Sequence, residues 1–70
     1  MTKEELRNEK EKIVRAAFNS VWGTNEQKEY WSKELKKAIK ASKLSQEEIK
    51  KACEIGKTNN FNKINWYLNN

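Results

Sequence analysis

Five lysines recur at helical spacing along the middle of the sequence, and they form the pattern with the clearest chemistry. They are Lys33, Lys36, Lys37, Lys40 and Lys43. A helix advances about 100° per residue, so these side chains collect on one side of a helix. The other side carries an apolar stripe made of Trp31, Leu35, Ala38, Ile39 and Ser42. A row of ammonium groups can follow a line of phosphates, whereas the competing interpretation is a solvated surface, because lysine is common at exposed helix positions.

The net charge of +5 is concentrated in the same segment. Residues 23–43 carry six lysines and three glutamates, net +3, whereas residues 1–22 and residues 44–70 each carry +1. This excess favours an anionic partner, either nucleic acid or an acidic protein surface. A membrane surface is a poorer fit, because so small a domain needs its apolar stripe for its own core.

Aromatic residues outside the expected core are the second set of candidate contacts. Trp22 lies at the edge of its helix face, Tyr30 lies off its apolar stripe, and Trp66 points about 140° away from Phe61 in a regular helix. An exposed tryptophan near positive charge can stack on bases or anchor a protein interface. The alternative is that Trp66 packs on the N-terminal helix. Trp31 is expected in the core.

The composition argues against catalysis and metal binding. The chain has no histidine, no aspartate and a single cysteine, Cys53, so the usual zinc ligands and a Cys–His pair are absent. We expect no cofactor, no metal and no enzymatic activity, with Cys53 as a small core residue. One cysteine also excludes an internal disulfide and favours a reducing, cytoplasmic location. No apolar run approaches the roughly 20 residues of a membrane span, and none resembles a signal peptide.

Three helix starts can be recognised from capping-box patterns, in which two side chains satisfy each other's free backbone amides. The pairs are Thr2 with Glu5, Thr24 with Gln27, and Ser45 with Glu48, the last flanked by the hydrophobic pair Leu44 and Ile49. Gly23 and Gly56 are predicted to end the first and third helices, Gly23 through a left-handed backbone. Residues 7–12 hold no large apolar side chain, so these turns are expected to project into solvent.

These signals predict an all-α fold. We expect a single helical domain, 1–70, with helices at about residues 3–22, 26–42, 46–55 and 60–68, arranged as a small bundle or orthogonal array of three to four helices. The inner face of the last helix should be formed by Phe61, Ile64 and Leu68, with Tyr67 at its edge. The segment from Leu44 to Leu68 also permits a helix-turn-helix, whose last helix would present Asn59, Asn60, Asn62, Lys63 and Asn65 to a DNA groove.

The last part of the sequence resembles a known family. Residues 44–52, LSQEEIKKA, followed by Ile64 and by Tyr67 with Leu68, resemble the end of DnaD-type primosome domains. The earlier Phe18, Trp22 and residues 31–35, WSKEL, are similar to the aromatic-rich approach to that ending in phage replication proteins. The resemblance covers residues 18–70 and implies contact with DNA or with replication proteins.

Two functions therefore stand as hypotheses. The first is a small non-enzymatic nucleic-acid-associated accessory or regulatory module, of replication or regulation type and encoded by a phage or mobile element, which contacts phosphates through the five lysines. The second is a protein-interaction module, such as a phage-encoded inhibitor or adaptor of a host protein, anchored by Tyr30, Trp22 or Trp66. A chain of this size buries only about 60% of its unfolded surface, so self-association as a homo-oligomer is also open.

Overall fold

The computed structural model describes residues 2–69 as four α-helices. They are α1 (Lys3–Trp22), α2 (Asn25–Ala41), α3 (Gln46–Lys57) and α4 (Phe61–Asn69). The predicted all-α class is confirmed. The predicted domain, 1–70, has its two terminal residues outside the described range. The helices differ from the expected bounds by one residue at both ends of α2 and α4, and α3 continues two residues further than expected.

Each of the first three helices begins at a hydroxyl side chain that accepts a bond from a free backbone amide. The Oγ atoms of Thr2, Thr24 and Ser45 accept from backbone amides three residues later, over 3.1 to 3.3 Å. At Thr24 the box is complete, because Gln27 Oε1 also accepts from the Thr24 amide at 3.0 Å. Such caps contribute about 1 kcal/mol each, and they fix where the helices start.

Helix α1 is the centre of the fold. It contacts each of the other three helices, with α2 packed along one part of its surface and α3 along another. The core contains buried side chains from α1, α3 and α4 and from the loop before α3: Ile13, Val14, Ala16, Ala17, Leu44, Ala52, Ile64 and Tyr67. No residue of α2 is fully buried, although Leu35 and Ala38 pack against the core. Helix α2 is therefore the most peripheral of the longer helices.

Gly56 does not end α3, as the sequence suggested, but lies buried inside it against α1. A Cβ atom at this position would lie 2.6 Å from the Val14 carbonyl oxygen and 2.9 Å from the Ala17 Cβ. Both distances are shorter than van der Waals contact, so a side chain here would force the helices apart. The missing side chain therefore sets how closely α1 and α3 approach.

The ends of α1 and α3 also differ from the expectation. Gly23 has extended backbone, with φ −78° and ψ −179°, and not the predicted left-handed conformation. The left-handed residue is Asn59, with φ 52°, just beyond α3. Asparagine tolerates this region better than most residues. Asn60 then caps α4, because its Oδ1 accepts from the Lys63 amide at 3.2 Å.

A polar cluster joins α1, α3 and α4. Lys10, which the sequence placed in a solvent-projecting stretch, is only 7% exposed. Its Nζ lies 4.7 Å from the centroid of the Tyr67 ring. The Tyr67 hydroxyl donates to Glu48 Oε2 at 3.1 Å, so this carboxylate points to α4. A cation over an aromatic ring contributes about 0.5–2 kcal/mol, more when it is desolvated.

Helix α4 is rotated relative to the predicted orientation. Tyr67, predicted at the edge of the inner face, is buried, whereas Phe61, predicted on that face, is 63% exposed. Ile64 is buried as expected, and Leu68 is half-buried against the core. In this orientation Tyr67 contacts Lys10 and Glu48, whereas the Phe61 ring lies against that of Phe18.

Replacing Gly56 with alanine should destabilise the protein even though alanine favours helix by about 1 kcal/mol. The added methyl group meets a backbone oxygen that cannot move alone, and overpacking of this kind costs about 1–3 kcal/mol. Gly56→Leu should lower the free energy of unfolding further than Gly56→Ala does. Urea unfolding followed by circular dichroism measures the loss. A Gly56→Ala variant that is more stable than the wild type would contradict the close contact.

Alkaline conditions should weaken the fold through Tyr67. Burial, followed by the hydrogen bond to Glu48 and the charge of that carboxylate, raises the pKa of Tyr67 well above its ordinary value. The unfolded chain then loses the tyrosine proton first as the pH rises. The contribution of the protonated Tyr67 hydroxyl to the free energy of unfolding is therefore complete below about pH 10 and declines above it.

The variant Tyr67→Phe should reduce this alkaline loss of stability, measured as the free energy of unfolding between neutral and alkaline pH. Tyr30→Phe is the matched control, because it removes a hydroxyl from a tyrosine that is mostly exposed. Equal alkaline losses in wild type and Tyr67→Phe would show that the buried hydroxyl has no such role.

Candidate functional site

The lysine face consists of Lys33, Lys36, Lys37 and Lys40, which are all exposed along α2. Helix α2 packs mainly on α1, so the side of α2 opposite that contact is open along its length. Successive members of the face are separated by one helical turn or less. The structure thus presents a linear row of cations on the outside of the fold.

Little of this positive charge is neutralised within the molecule. Within residues 2–69, Lys37 is the lysine of this face that forms an ion pair, with 3.7 Å between its Nζ and Glu34 Oε1. Exposed pairs of this kind contribute about 0–1 kcal/mol and exchange easily for another partner. Lys40 also has a local role, because it lies in the last turn of α2, where a cation stabilises the helix dipole.

Lys43 does not continue the lysine face, although the sequence placed it there. Helix α2 ends at Ala41, and Ser42 caps it in an extended conformation, accepting from the Leu44 amide through its Oγ at 3.1 Å. Lys43 is exposed in the loop that follows and lines a small groove of about 340 Å³ with Glu5, Glu9 and Lys12 of α1.

Tyr30 is the aromatic candidate closest to the lysine face. It precedes Lys33 by three residues and Lys37 by seven, so the three side chains share one side of α2. Its ring is 58% exposed and packs edge-on against Trp31, with 5.4 Å between the ring centroids and an angle of 84°. Trp31 itself is half-buried, so its predicted core position is only partly correct.

Trp22 is the last residue of α1 and contacts the end of α3, and Phe61 is the first residue of α4. The Trp22 Nε1 donates to the Lys57 carbonyl at 3.0 Å, which satisfies one of the free carbonyls at the end of α3. The rings of Phe18 and Phe61 have their centroids 5.6 Å apart. Trp22 remains 52% exposed. Sequence reasoning missed Phe61, because its spacing matched the inner face of α4.

Trp66 is the most exposed of the large aromatic residues, at 68%. It lies on α4, whose buried residues are Ile64 and Tyr67. Trp66 was predicted to point away from the inner face of α4, and its exposure agrees with this. The inner face itself is formed by Ile64 and Tyr67 and does not include Phe61. Trp66 and the lysine face belong to different helices, so the structure gives two separate candidate surfaces.

A groove with a volume of about 590 Å³ lies between α1 and α2. Its apolar lining residues are Ala16, Trp31, Ala38 and Ala41. Charged residues of both signs line its edges, among them Arg15 and Glu11, whose side chains pair at 3.2 Å. Nothing in the sequence pattern indicated this groove, because it depends on how far apart the two helices pack.

Cys53, which was expected as a small core residue, is half-buried and packs against the core. Burial raises the pKa of its thiol, with Glu54 adding to the shift and Lys57 opposing it. A raised pKa reduces the thiolate population and hence nucleophilic reactivity. Residues 2–69 contain no group of three or more potential acidic or thiol metal ligands. In the same part of the chain, every helix is too short or too polar to cross a bilayer.

The chain matches no protein-family model, no curated protein and no solved structure. The resemblance to DnaD-type domains therefore stays a prediction from the residues quoted above, and the candidate surfaces are interpreted from their own geometry.

Proposed function

We propose that this protein is a small nucleic-acid-associated accessory module that contacts phosphates through Lys33, Lys36, Lys37 and Lys40. The observation that carries the proposal is that these four ammonium groups are exposed in one row, with a single weak ion pair to Glu34 within the described residues. Phosphate contacts need cations that are free to exchange their counterions.

The uneven charge gives additional support. Residues 23–43 hold net +3 of the total +5, and most of this excess lies on the outer side of α2. A polyanion approaching this side meets no other helix of the fold. Tyr30, beside Lys33 and Lys37, adds an exposed ring that can rest against a sugar or base. The role in replication or regulation remains part of this proposal and follows from the family resemblance alone.

Fluorescence anisotropy with a labelled duplex and a labelled single strand, repeated across salt concentrations, tests the proposal. Four lysine contacts predict that the logarithm of the affinity falls with the logarithm of the salt concentration, with a slope of about −3 to −4. The triple variant Lys33→Glu, Lys36→Glu, Lys40→Glu should lose binding and retain its helix content by circular dichroism.

A charge-matched control separates the lysine face from the overall charge. Lys50, Lys51 and Lys57 are exposed on α3, and changing all three to Glu alters the net charge by the same amount. This control should keep most of the salt dependence of binding. In the α2 triple variant, by contrast, the loss of three phosphate contacts should reduce the magnitude of the salt slope by about three. Equal losses in both variants would contradict a specific role of α2.

A protein-interaction module is the second candidate, and the exposed aromatic side chains favour it. Trp22, Tyr30 and Trp66 are each more than half exposed, and the Trp22 ring is held in place by its bond to Lys57. Tryptophan and tyrosine are enriched among residues that dominate binding energy, and a ring held in advance loses little entropy on binding.

This alternative predicts a complex with a specific protein that persists at high salt. Once the partner is identified, Trp66→Ala should weaken binding by about 2 kcal/mol or more, measured by calorimetry. Phe61→Ala removes a similarly exposed aromatic ring and serves as the control. Unchanged affinity in Trp66→Ala, Tyr30→Ala and Trp22→Ala would contradict aromatic anchoring.

A further inference from the structure

The rim of the groove between α1 and α2 presents more positive than negative charge to solvent. Among the described residues that line it, the cations are Lys12, Arg15 and Lys37, and the carboxylates are those of Glu11 and Glu34. The side chains of the three cations are 70%, 64% and 76% exposed in that order, whereas those of the two glutamates are 37% and 35% exposed. An anion that approaches the groove therefore meets positive charge first.

The ion pairs of this rim leave its cations available. In the described part of the chain, each of the three cations pairs with a glutamate one turn away on its own helix, over 3.2 to 4.0 Å. Exposed pairs of this kind are weak, and a phosphate can replace the glutamate as the partner of lysine or arginine.

Lys37 joins the groove to the lysine face. It belongs to the exposed row on α2 and also lines the groove, opposite Lys12 and Arg15 of α1. A line of phosphates that follows the row thus passes along one edge of the groove, and the cations of α1 lie along the other edge. The groove extends the surface to which we have assigned the phosphate contacts.

The inside of the groove is apolar and contains an aromatic ring. Trp31 is half-buried and lines the groove together with the small side chains of Ala16, Ala38 and Ala41. Its ring packs against that of Tyr30 at an angle of 84°, which restricts its motion. The volume of about 590 Å³ falls within the range of roughly 300–1,000 Å³ that is usual for small-ligand pockets. A recess of this size suits a single flat ring system.

We propose that this groove accommodates an unpaired base of a single-stranded nucleic acid, whose phosphates contact the lysine face and the cations of the rim. The inference rests on the proposed function and names the form of nucleic acid that the site takes. Proteins that bind single strands combine a cationic path for the backbone with aromatic rings on which bases stack. In a duplex the bases are paired and stacked inside, so a base reaches the groove only after it is flipped out, which costs free energy. A duplex therefore keeps the phosphate contacts alone.

Fluorescence anisotropy with the full chain compares two labelled single strands of equal length, an oligothymidylate and a strand that lacks every base. Both offer the same phosphates, so the oligothymidylate should bind about fivefold or more tightly through stacking on Trp31. Trp31→Leu should remove this preference and keep the affinity for the abasic strand. Tyr30→Leu is the matched control, because it removes the neighbouring exposed ring, and it should keep most of the preference.

Tryptophan fluorescence reports on the groove without altering it. The chain has three tryptophans, so the double variant Trp22→Phe, Trp66→Phe leaves Trp31 as the one that emits. Oligothymidylate should quench this emission, whereas the abasic strand should change it little. This measurement stands even where Trp31→Leu fails to fold.

The outcomes separate this inference from the proposed function. If neither strand binds at low salt, both fall together. If both strands bind equally well, or if Trp31 emission is unchanged at saturation, the phosphate contacts remain and the groove inference is overturned. Loss of the preference in Tyr30→Leu but not in Trp31→Leu would overturn it as well, because the base would then stack on the lysine side of α2.

Discussion

The close contact between α1 and α3 at Gly56 is the constraint on which the other features depend. The Val14 carbonyl and the Ala17 methyl group occupy the space of a side chain, so the two helices approach more closely than any other residue would allow. This approach brings the end of α3 close to Trp22, whose indole donates a hydrogen bond to the Lys57 carbonyl. Helix α4 then packs against α1 and α3, with Tyr67 in contact with both Lys10 and Glu48. Packing and polar contacts thus agree on one arrangement, as expected of a sequence that specifies a single fold.

Because α3 and α4 pack on one part of α1, α2 is left with α1 as its main support. This position leaves the outer side of α2 open, with the lysine face along it, while the other side of α2 borders the groove next to α1. Lys37 belongs to both, because it lies in the row of lysines and also lines the groove beside its ion-pair partner Glu34. The phosphate contacts that we propose for the lysine face depend on charge and should weaken with salt.

The sequence predicted the helix starts well, because a hydroxyl followed three residues later by a glutamate or glutamine is a local signal. It also predicted that the lysines would lie on the exposed side of α2. This is correct for Lys33, Lys36, Lys37 and Lys40, whereas Lys43 lies beyond the end of that helix.

Gly56 was interpreted wrongly, because a glycine that ends a helix and a glycine that allows close packing look alike without knowledge of α1. Lys10 and Tyr67 were misread for a related reason: their burial depends on contacts between distant helices, which periodicity does not describe. The groove and the exposure of Phe61 could not be predicted either, because both depend on how separate helices pack together.

We propose that a polyanion binds on the outer side of α2. Amide chemical-shift mapping by nuclear magnetic resonance, during titration with a short oligonucleotide at low salt, tests this directly. The largest shifts should fall on the amides of residues 30–40, with smaller changes across α3 and α4. Shifts concentrated around Trp66 and the outer side of α4, or no shifts at all, would contradict it.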